Sequence, residues 1–354
     1  MNFDFSSRVD RIKLSPALYF MLSTYSGRIS LTDQNAKKVV AEYWASQQDS
    51  GIQWIEVPQI ARNVNLRATG NPNLGWVDHS AEFLTHLPKP RKALSLGCGF
   101  GILERKVQQN DICQFIDGVD IADNATRTAQ QIANESNLSG LNYWAADLNT
   151  LELPPNTYDV VYAHASLHHV FALEHLFDEV KKTLKPGGIF ISYEYVGPAQ
   201  MQFPKPHLDI ADRLVKLIPV EYRYQKRFSA VKEEAPRLKL SDMNRVDPSE
   251  AIRSQEVLPL LANRFAFKHF RYLAGSLLLL VFNDIAGNFK EGDPITDPLI
   301  EFMIYLDNLL VDSGILPSYH SYVICSVPDD EMIAQQQDFS FTLSSNPSGH
   351  PKFS

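Results

Sequence analysis

Apolar and polar positions along this chain follow two different periods. From Lys92 to Tyr195, short apolar runs rich in β-branched and aromatic residues alternate with longer stretches whose apolar residues return every three or four positions. The runs predict strands over KALSL (92–96), FIDGVDI (115–121), LNYWAAD (141–147), YDVVYAH (158–164) and IFISYEY (189–195). The stretches between them predict helices over GILERKVQQN (101–110), DNATRTAQQIANES (123–136) and LEHLFDEVKKTLK (173–185). Strands alternating with helices of this length imply an α/β fold with a parallel sheet. Runs this apolar suit strands covered by helices on both faces.

The rhythm is different elsewhere and divides the chain. Residues 1–90 read as a mostly helical cap, with QNAKKVVAEYWASQQ (34–48) its clearest amphipathic helix, and Pro88 and Pro90 mark its end. Residues 91–198 are the core. Residues 199–247 are rich in Pro, Lys and Arg and hold one helix, HLDIADRLVKLI (207–218); they read as an insertion that covers the substrate. The core resumes over 248–328 with helix SEAIRSQEVLPLLANR (249–264), strand AFKHFRYL (266–273), a helical insertion near 276–314 and a last strand, YHSYVICSV (319–327). Residues 329–354 read as a disordered tail. There are no internal repeats.

Charge and composition narrow the partners. A net charge of −8 argues against a broad phosphate-binding face, so no nucleic acid is expected. The one basic stretch, YRYQKRFSAVK (222–232), reads as an exposed helix or loop. Three scattered cysteines make neither a disulfide framework nor a zinc cluster, which suits reduced thiols in a cytoplasmic protein. The N-terminus matches no secretory signal, and the longest apolar run, SLLLLVF (276–282), falls far short of the roughly 20 residues of a membrane span, so no membrane partner is expected. Exposed, that run would suit a homodimer; buried, it would serve one chain.

LSLGCGFG (94–101) places glycines at 97, 99 and 101 between the first strand and the first helix. Bare backbone there lets other atoms approach, beside the positive end of the helix dipole. Dinucleotide loops space their glycines as G-x-G-x-x-G, which would require glycine where this chain has Ile102. Asp120 closes the second strand, 23 positions after Gly97, where a carboxylate can accept both hydroxyls of a ribose. Asp147 closes the third and fits an exocyclic amine of adenine. Either acid alone reads first as a cap or turn former. Both, with the glycine loop at one sheet edge, point together to a cofactor.

With these residues, Lys92 to Tyr195 resembles the class I S-adenosylmethionine-dependent methyltransferases. LSLGCGFG resembles their first motif, VDIAD the ribose site, AADLNTLELPPNTYDVVYAHASLHHV the adenine site and fourth strand, and LFDEVKKTLKPGGIFISYEYVGP the helix and fifth strand. The resemblance implies a Rossmann-like sheet, mostly parallel with its last strand antiparallel, and S-adenosylmethionine as cofactor. It implies Gly97, Cys98 (through its backbone), Gly99 and Gly101 at the methionine end and Asp120 on the ribose. Ile121 would pack on the adenine, Asp147 and Leu148 would meet its edge, and Ala163 and His164 would lie near the sulfonium. One position departs: the family often carries an acid two residues before the first glycine, where this chain has Ser95. Cofactor binding is then expected to lean on carbonyls near Ala163 or on the N-terminal segment.

The methyl of such a cofactor is already activated, so the protein must align it and exclude water. A hydroxyl or amine acceptor must also lose a proton. HASLHHVFALEH holds His164, His168, His169 and His175, and His168 and His169 follow the fourth strand, where open α/β sheets bind ligands. Imidazole titrates in a suitable range, and His168 is the preferred base over His169, although either reads equally as packing. Strand alternation sets Glu194 opposite Tyr193 and Tyr195, as a base, an orienting carboxylate or a buried acid capped by backbone amides. No ligand spacing fits a metal site, so no metal is expected.

The additions to the core carry Trp54, Trp76, Tyr222, Tyr224 and Phe228, which suit a cover over a small polar or glycosylated molecule, or plain packing. HASL stands where amino methyltransferases of nucleobases and protein glutamine carry Asn/Asp-Pro-Pro-Tyr. Residues 247–289 resemble a bacterial subset linked to glycan and secondary-metabolite pathways. The expected activity is methyl transfer to a hydroxyl of a small molecule, sugar or natural product. Three alternatives stay open: N-methylation of a small molecule or protein, a degenerate cofactor-binding partner protein, which Ser95 favours, and a nicotinamide oxidoreductase, which Ile102 and Asp147 disfavour.

Overall fold

The structure, a computed structural model, describes residues 34–46 and 52–328. The expected tail at 329–354 and the first 33 residues of the expected cap lie outside them. Among the described residues, three α-helices precede the sheet: α1 (Gln34–Ser46), α2 (Pro58–Thr69) and α3 (Trp76–Ser80). Pro58 opens α2, where its missing N–H is no loss, and Gly70 ends it in the left-handed conformation at φ 81°. The core then runs β1 (Lys92–Leu96), α4 (Ile102–Gln109), β2 (Phe115–Asp120), α5 (Asp123–Glu135), β3 (Leu141–Ala145), β4 (Tyr158–His164), α6 (Leu173–Thr183) and β5 (Leu184–Tyr195). After it come α7 (Lys205–Leu217), a small hairpin of β6 (Tyr224–Gln225) and β7 (Ala230–Val231), α8 (Leu240–Val246) and α9 (Ser254–Ala262). The chain returns through β8 (Ala266–Tyr272), α10 (Leu278–Phe282), α11 (Thr296–Asp312) and β9 (His320–Ser326).

Seven strands form one sheet in the order β3-β2-β1-β4-β5-β9-β8. Strands β1 to β5 pair in parallel, and β9 runs antiparallel to both its neighbours, as expected of the last strand. Strand order reverses between β1 and β4, which opens a crevice at their carboxyl ends. Register sets Leu96 beside Ala163 and His164 beside Tyr193, so these ends finish level at that crevice.

Both sheet faces are buried. On one, Leu94, Val161 and Phe190 pack against Phe177 of α6 and Leu261 of α9. On the other, Ala93, Val160 and Ile191 face a core that includes Ile60 of α2, Leu280 of α10 and Met303 of α11. The run SLLLLVF belongs to this second core, with Leu277, Leu280, Val281 and Phe282 all 0% exposed. Its packing is within the chain itself, with Leu279 only half-buried. No helix among the described residues is long and apolar enough to cross a membrane.

Four expectations shift in detail. β3 stops at Ala145, so Asp147 stands in a loop, where its Oδ1 accepts the Asn149 N–H at 2.9 Å. β5 starts early because its pairing jumps from Tyr158↔Leu184 to Val160↔Ile189, carrying the Pro186–Gly188 turn as an irregularity. The helix expected from residue 249 begins only at Ser254: Asp247 holds the Ser249 N–H (2.9 Å) and hydroxyl (2.6 Å) in a turn, and Ala251 is left-handed at φ 51°. The basic stretch is a hairpin whose Lys232 is buried, donating to the carbonyls of Leu280 (2.9 Å) and Asn283 (2.7 Å).

Candidate active site

The glycine loop turns sharply out of β1, with the N–H groups of Gly97 and Cys98 both donating to the Val119 carbonyl (2.8 and 3.0 Å). Gly97, Gly99 and Gly101 have φ of 70°, 49° and 76°, which side chains disfavour. The close approach that these glycines signal has separate causes. A Cβ on Gly97 would lie 2.4 Å from the Ser166 Cβ, and one on Gly101 would lie 2.7 Å from the Tyr143 hydroxyl. Both meet the chain itself. A Cβ on Gly99 would meet nothing within 4 Å, so this glycine alone opens onto free space.

That space is a cavity lined by Gly97, Gly99, Asp120, Ile121, Asp147 and Leu148, closed by Lys37, Val40 and Trp44 of α1 and by Ala165, Ser166, His169 and Ser249. Asp120 accepts the N–H groups of Gly99 and Ala122, both at 2.9 Å. Burial pushes its carboxyl above the usual range against these bonds. Asp147 behaves oppposite: burial opposes its charge, but Lys37, with its Nζ 2.5 Å from Oδ2, and Asn149 hold it below the usual range. Lys37, Val40 and Trp44 stand at helical spacing on one face of α1. That spacing was visible in the sequence; what the face covers was not.

Of the other positions expected here, Gly101 caps α4 away from the cavity, and Ala163 is 0% exposed within β4. The Cys98 N–H is committed to Val119, and burial raises its thiol far above its ordinary range. His164 lines a second cavity instead, with Trp76, Tyr193, Ile55, Val64 and Asn65. There Trp76 stacks on Tyr193 with centroids 5.3 Å apart and planes at 24°, and His164 lies 5.2 Å from Trp76. The two cavities flank the end of β4.

Ser95, where an acid was missing, is buried, and a second acid lies beside it. Glu104 of α4 is 1% exposed, and burial pushes its carboxyl up to about 7, with Ser95 and nearby Arg105 acting to lower it and Asp120 to raise it. Nothing in a local pattern distinguishes this Glu from an exposed helix residue.

The turn after β4 carries the histidines. Ala165 is left-handed at φ 50°, a strained conformation for a residue with a side chain, and its N–H donates to the Tyr193 carbonyl. Glu194, 1% exposed, organises this turn. Its Oε2 accepts the N–H groups of Ser166 (2.9 Å) and Leu167 (2.7 Å), and its Oε1 accepts the Tyr195 N–H (2.9 Å) and the ring N–H of His168 Nδ1. Burial disfavours charge on both members of this pair. Each nonetheless favours charge on the other, so His168 is raised and Glu194 lowered. Glu194 is an amide-capped buried acid that also holds His168. Burial, with His168 beside it, pushes His169 down to about 4, so its imidazole is neutral near pH 7. Ser249 meets His169 Nδ1 at 3.1 Å, and Trp44 reaches from α1 to donate to Asp247 (3.0 Å) and to set its ring edge-on to His169 (4.9 Å).

Residues 94–192 match the family model described as a methyltransferase domain. This segment is similar to that domain. It includes the glycine loop, Asp120, Asp147 and the histidine turn, and the strand order around it is that of the class I methyltransferase sheet. The chain is similar to the sterol 24-C-methyltransferase of Candida albicans, with 28% identity over 177 residues, 44% of this chain and 47% of that one. It is also similar to the sterol 24-C-methyltransferase of Saccharomyces cerevisiae, with 31% identity over 120 residues, 34% of this chain and 31% of that one. The chain thus spans half or less of the length of these curated relatives. Among solved structures, it is similar to geranyl diphosphate C-methyltransferase from Streptomyces coelicolor (TM-score 0.45, 13% identity, 83% of this chain and 98% of that one). The [4+2]-cyclase SpnF is similar too (TM-score 0.42, 17% identity, 78% and 98%).

Proposed function

We propose that this chain is an S-adenosylmethionine-dependent methyltransferase acting on a hydroxyl of a small molecule. The observation that carries this is one cavity bringing together Gly97, Gly99, Asp120, Ile121, Asp147 and Leu148. The donor set fits the cofactor. Asp120 has lone pairs left for ribose hydroxyls after its two backbone bonds, and Asp147 faces the cavity as an ionised acceptor. Ile121 and Leu148, with Val40 and Trp44 opposite, give apolar faces to a purine, and Gly99 leaves its open side to the methionine end. S-adenosylmethionine supplies a methyl group on a positively charged sulfur. The chain's own residues then exclude water, and the histidine turn after β4, with His169 lining the cavity, borders the place from which the acceptor's proton must leave.

The second cavity favours a rival acceptor. Attack by an alkene carbon leaves positive charge on the acceptor, which the faces of Trp76 and Tyr193 would stabilise. The curated relatives named above are sterol C-methyltransferases, which supports keeping this reading beside the first.

Calorimetric titration with S-adenosylmethionine and its demethylated product, beside Asp120→Ala, tests the cofactor. Micromolar binding that the variant loses is the expected result; no binding to the intact chain overturns the proposal. Transfer of labelled methyl to phenols and sugars against apolar alkenes then separates oxygen from carbon acceptors.

A further inference from the structure

Two ring nitrogens and a carboxylate converge beside the cofactor cavity with no hydrogen bond between them. Ser249 spends its single hydroxyl proton on Asp247 Oδ1 (2.6 Å), so at His169 Nδ1 its oxygen accepts, and the ring carries its proton on Nδ1. His168 likewise donates from Nδ1, to Glu194. Both rings therefore turn their Nε2 atoms toward Glu250. His168 Nε2 lies 3.7 Å from Oε1 and His169 Nε2 4.0 Å from Oε2, both too long for hydrogen bonds. His169 Nε2 and Glu250 Oε1 are buried without a hydrogen-bond partner among the described residues. The unpaired Nε2 of His169 and the Glu250 carboxylate thus face one another with no hydrogen bond, an arrangement that a cation between them resolves.

From this geometry we infer that His168, His169 and Glu250 bind a divalent transition-metal ion. The ligand atoms lie within 4.8 Å of one another. Bonds of about 2.1 Å to one ion would set them about 3 Å apart, so the side chains close by less than about 1 Å each. The surroundings are those of a metal site rather than of a packed histidine pair. Each ligating ring is held from behind through Nδ1, by a carboxylate in one case and a carboxylate-anchored hydroxyl in the other, which fixes the tautomer and the ring's direction. Two histidines and one carboxylate leave further coordination positions open.

The ion's use rests on the function proposed above. His169 and Ser249 line the cofactor cavity, so the ion borders it and takes an acceptor with paired oxygen donors, such as vicinal hydroxyls. Coordination lowers the hydroxyl pKa, its proton leaves to water, and the oxygen forms its bond to the methyl carbon as the carbon–sulfur bond breaks. The proposal departs from the expectation of no metal, which considered spacing along the chain; Glu250 comes from a distant loop.

The test uses the full chain without a histidine tag, stripped with chelator and titrated with Co²⁺ by calorimetry and visible absorption. One ion per chain at micromolar affinity or better is expected, weakened at least tenfold in His169→Ala and Glu250→Gln. Because those variants can unfold, proton spectra of the intact cobalt form provide a second readout: two exchangeable, paramagnetically shifted ring N–H signals, from Nδ1 of each histidine. No saturable cobalt binding, equal binding in folded variants, or absence of those two signals would each overturn the site. Asp120→Ala should still take up cobalt, so a failure of cofactor binding is separately visible.

Discussion

Lys37 of α1 holds its ammonium nitrogen 2.5 Å from Asp147, and both line the cavity formed by the glycine loop. The pair ties a helix outside the core to the sheet edge, and Trp44 of the same helix donates to Asp247. Lys37→Ala should weaken S-adenosylmethionine binding about 1.5-fold to fivefold, the range of a partly exposed ion pair. Calorimetry at low and high salt checks this, since the wild-type advantage should shrink as salt rises. An unchanged affinity would mean that α1 takes no part in holding the cofactor.

Gly97 and Gly99 should fail differently when replaced by alanine. At Gly97 the new Cβ meets Ser166 at 2.4 Å with φ at 70°, so the fold itself should lose about 2–4 kcal/mol. At Gly99 there is open space, and only the backbone strain remains, about 1–2 kcal/mol. Denaturant unfolding should separate the two, and Gly99→Ala should lose cofactor affinity out of proportion to its stability loss.

Glu104 should make stability depend on pH. Its carboxyl is raised from 4.5 to about 7 by burial, so the folded protein holds a proton that the unfolded chain releases. Stability from this group is full below about 4.5 and is lost as pH rises to about 7, up to about 3 kcal/mol. Glu104→Gln should remove that slope and be the more stable protein at pH 8. Parallel wild-type and variant curves across this window would show that Glu104 is charged when folded.

Much of this was legible in the sequence because its causes are local. Strands β1 and β4 and the second half of β5 are largely apolar because both faces are buried, and Asp120 and the glycines sit at fixed offsets from strand ends. The rest depends on contacts that no spacing rule sees. Trp44 meets Asp247 across 203 positions, and His169 meets Ser249 across 80. His164 belonged to the right strand end, but which of two cavities it faces depends on the covering Trp76. The reason for Gly97 was likewise invisible, since Ser166 arrives from another strand's turn.

Trp76 decides between acceptors. It lies in the second cavity against His164 and Tyr193, and it is not among the residues lining the first. Trp76→Leu keeps an apolar side chain but removes the ring face. Cofactor affinity should stay within about twofold, because distant independent sites rarely couple by more than about 0.5 kcal/mol. For an acceptor that passes through a cation, kcat should fall about tenfold or more, the loss of one desolvated cation–ring contact of about 2 kcal/mol. For a hydroxyl acceptor, only KM should rise. Steady-state kinetics on whichever acceptor the screen returns therefore reads the transition state's charge from one substitution, and a change in cofactor affinity instead would mean the two cavities work as one.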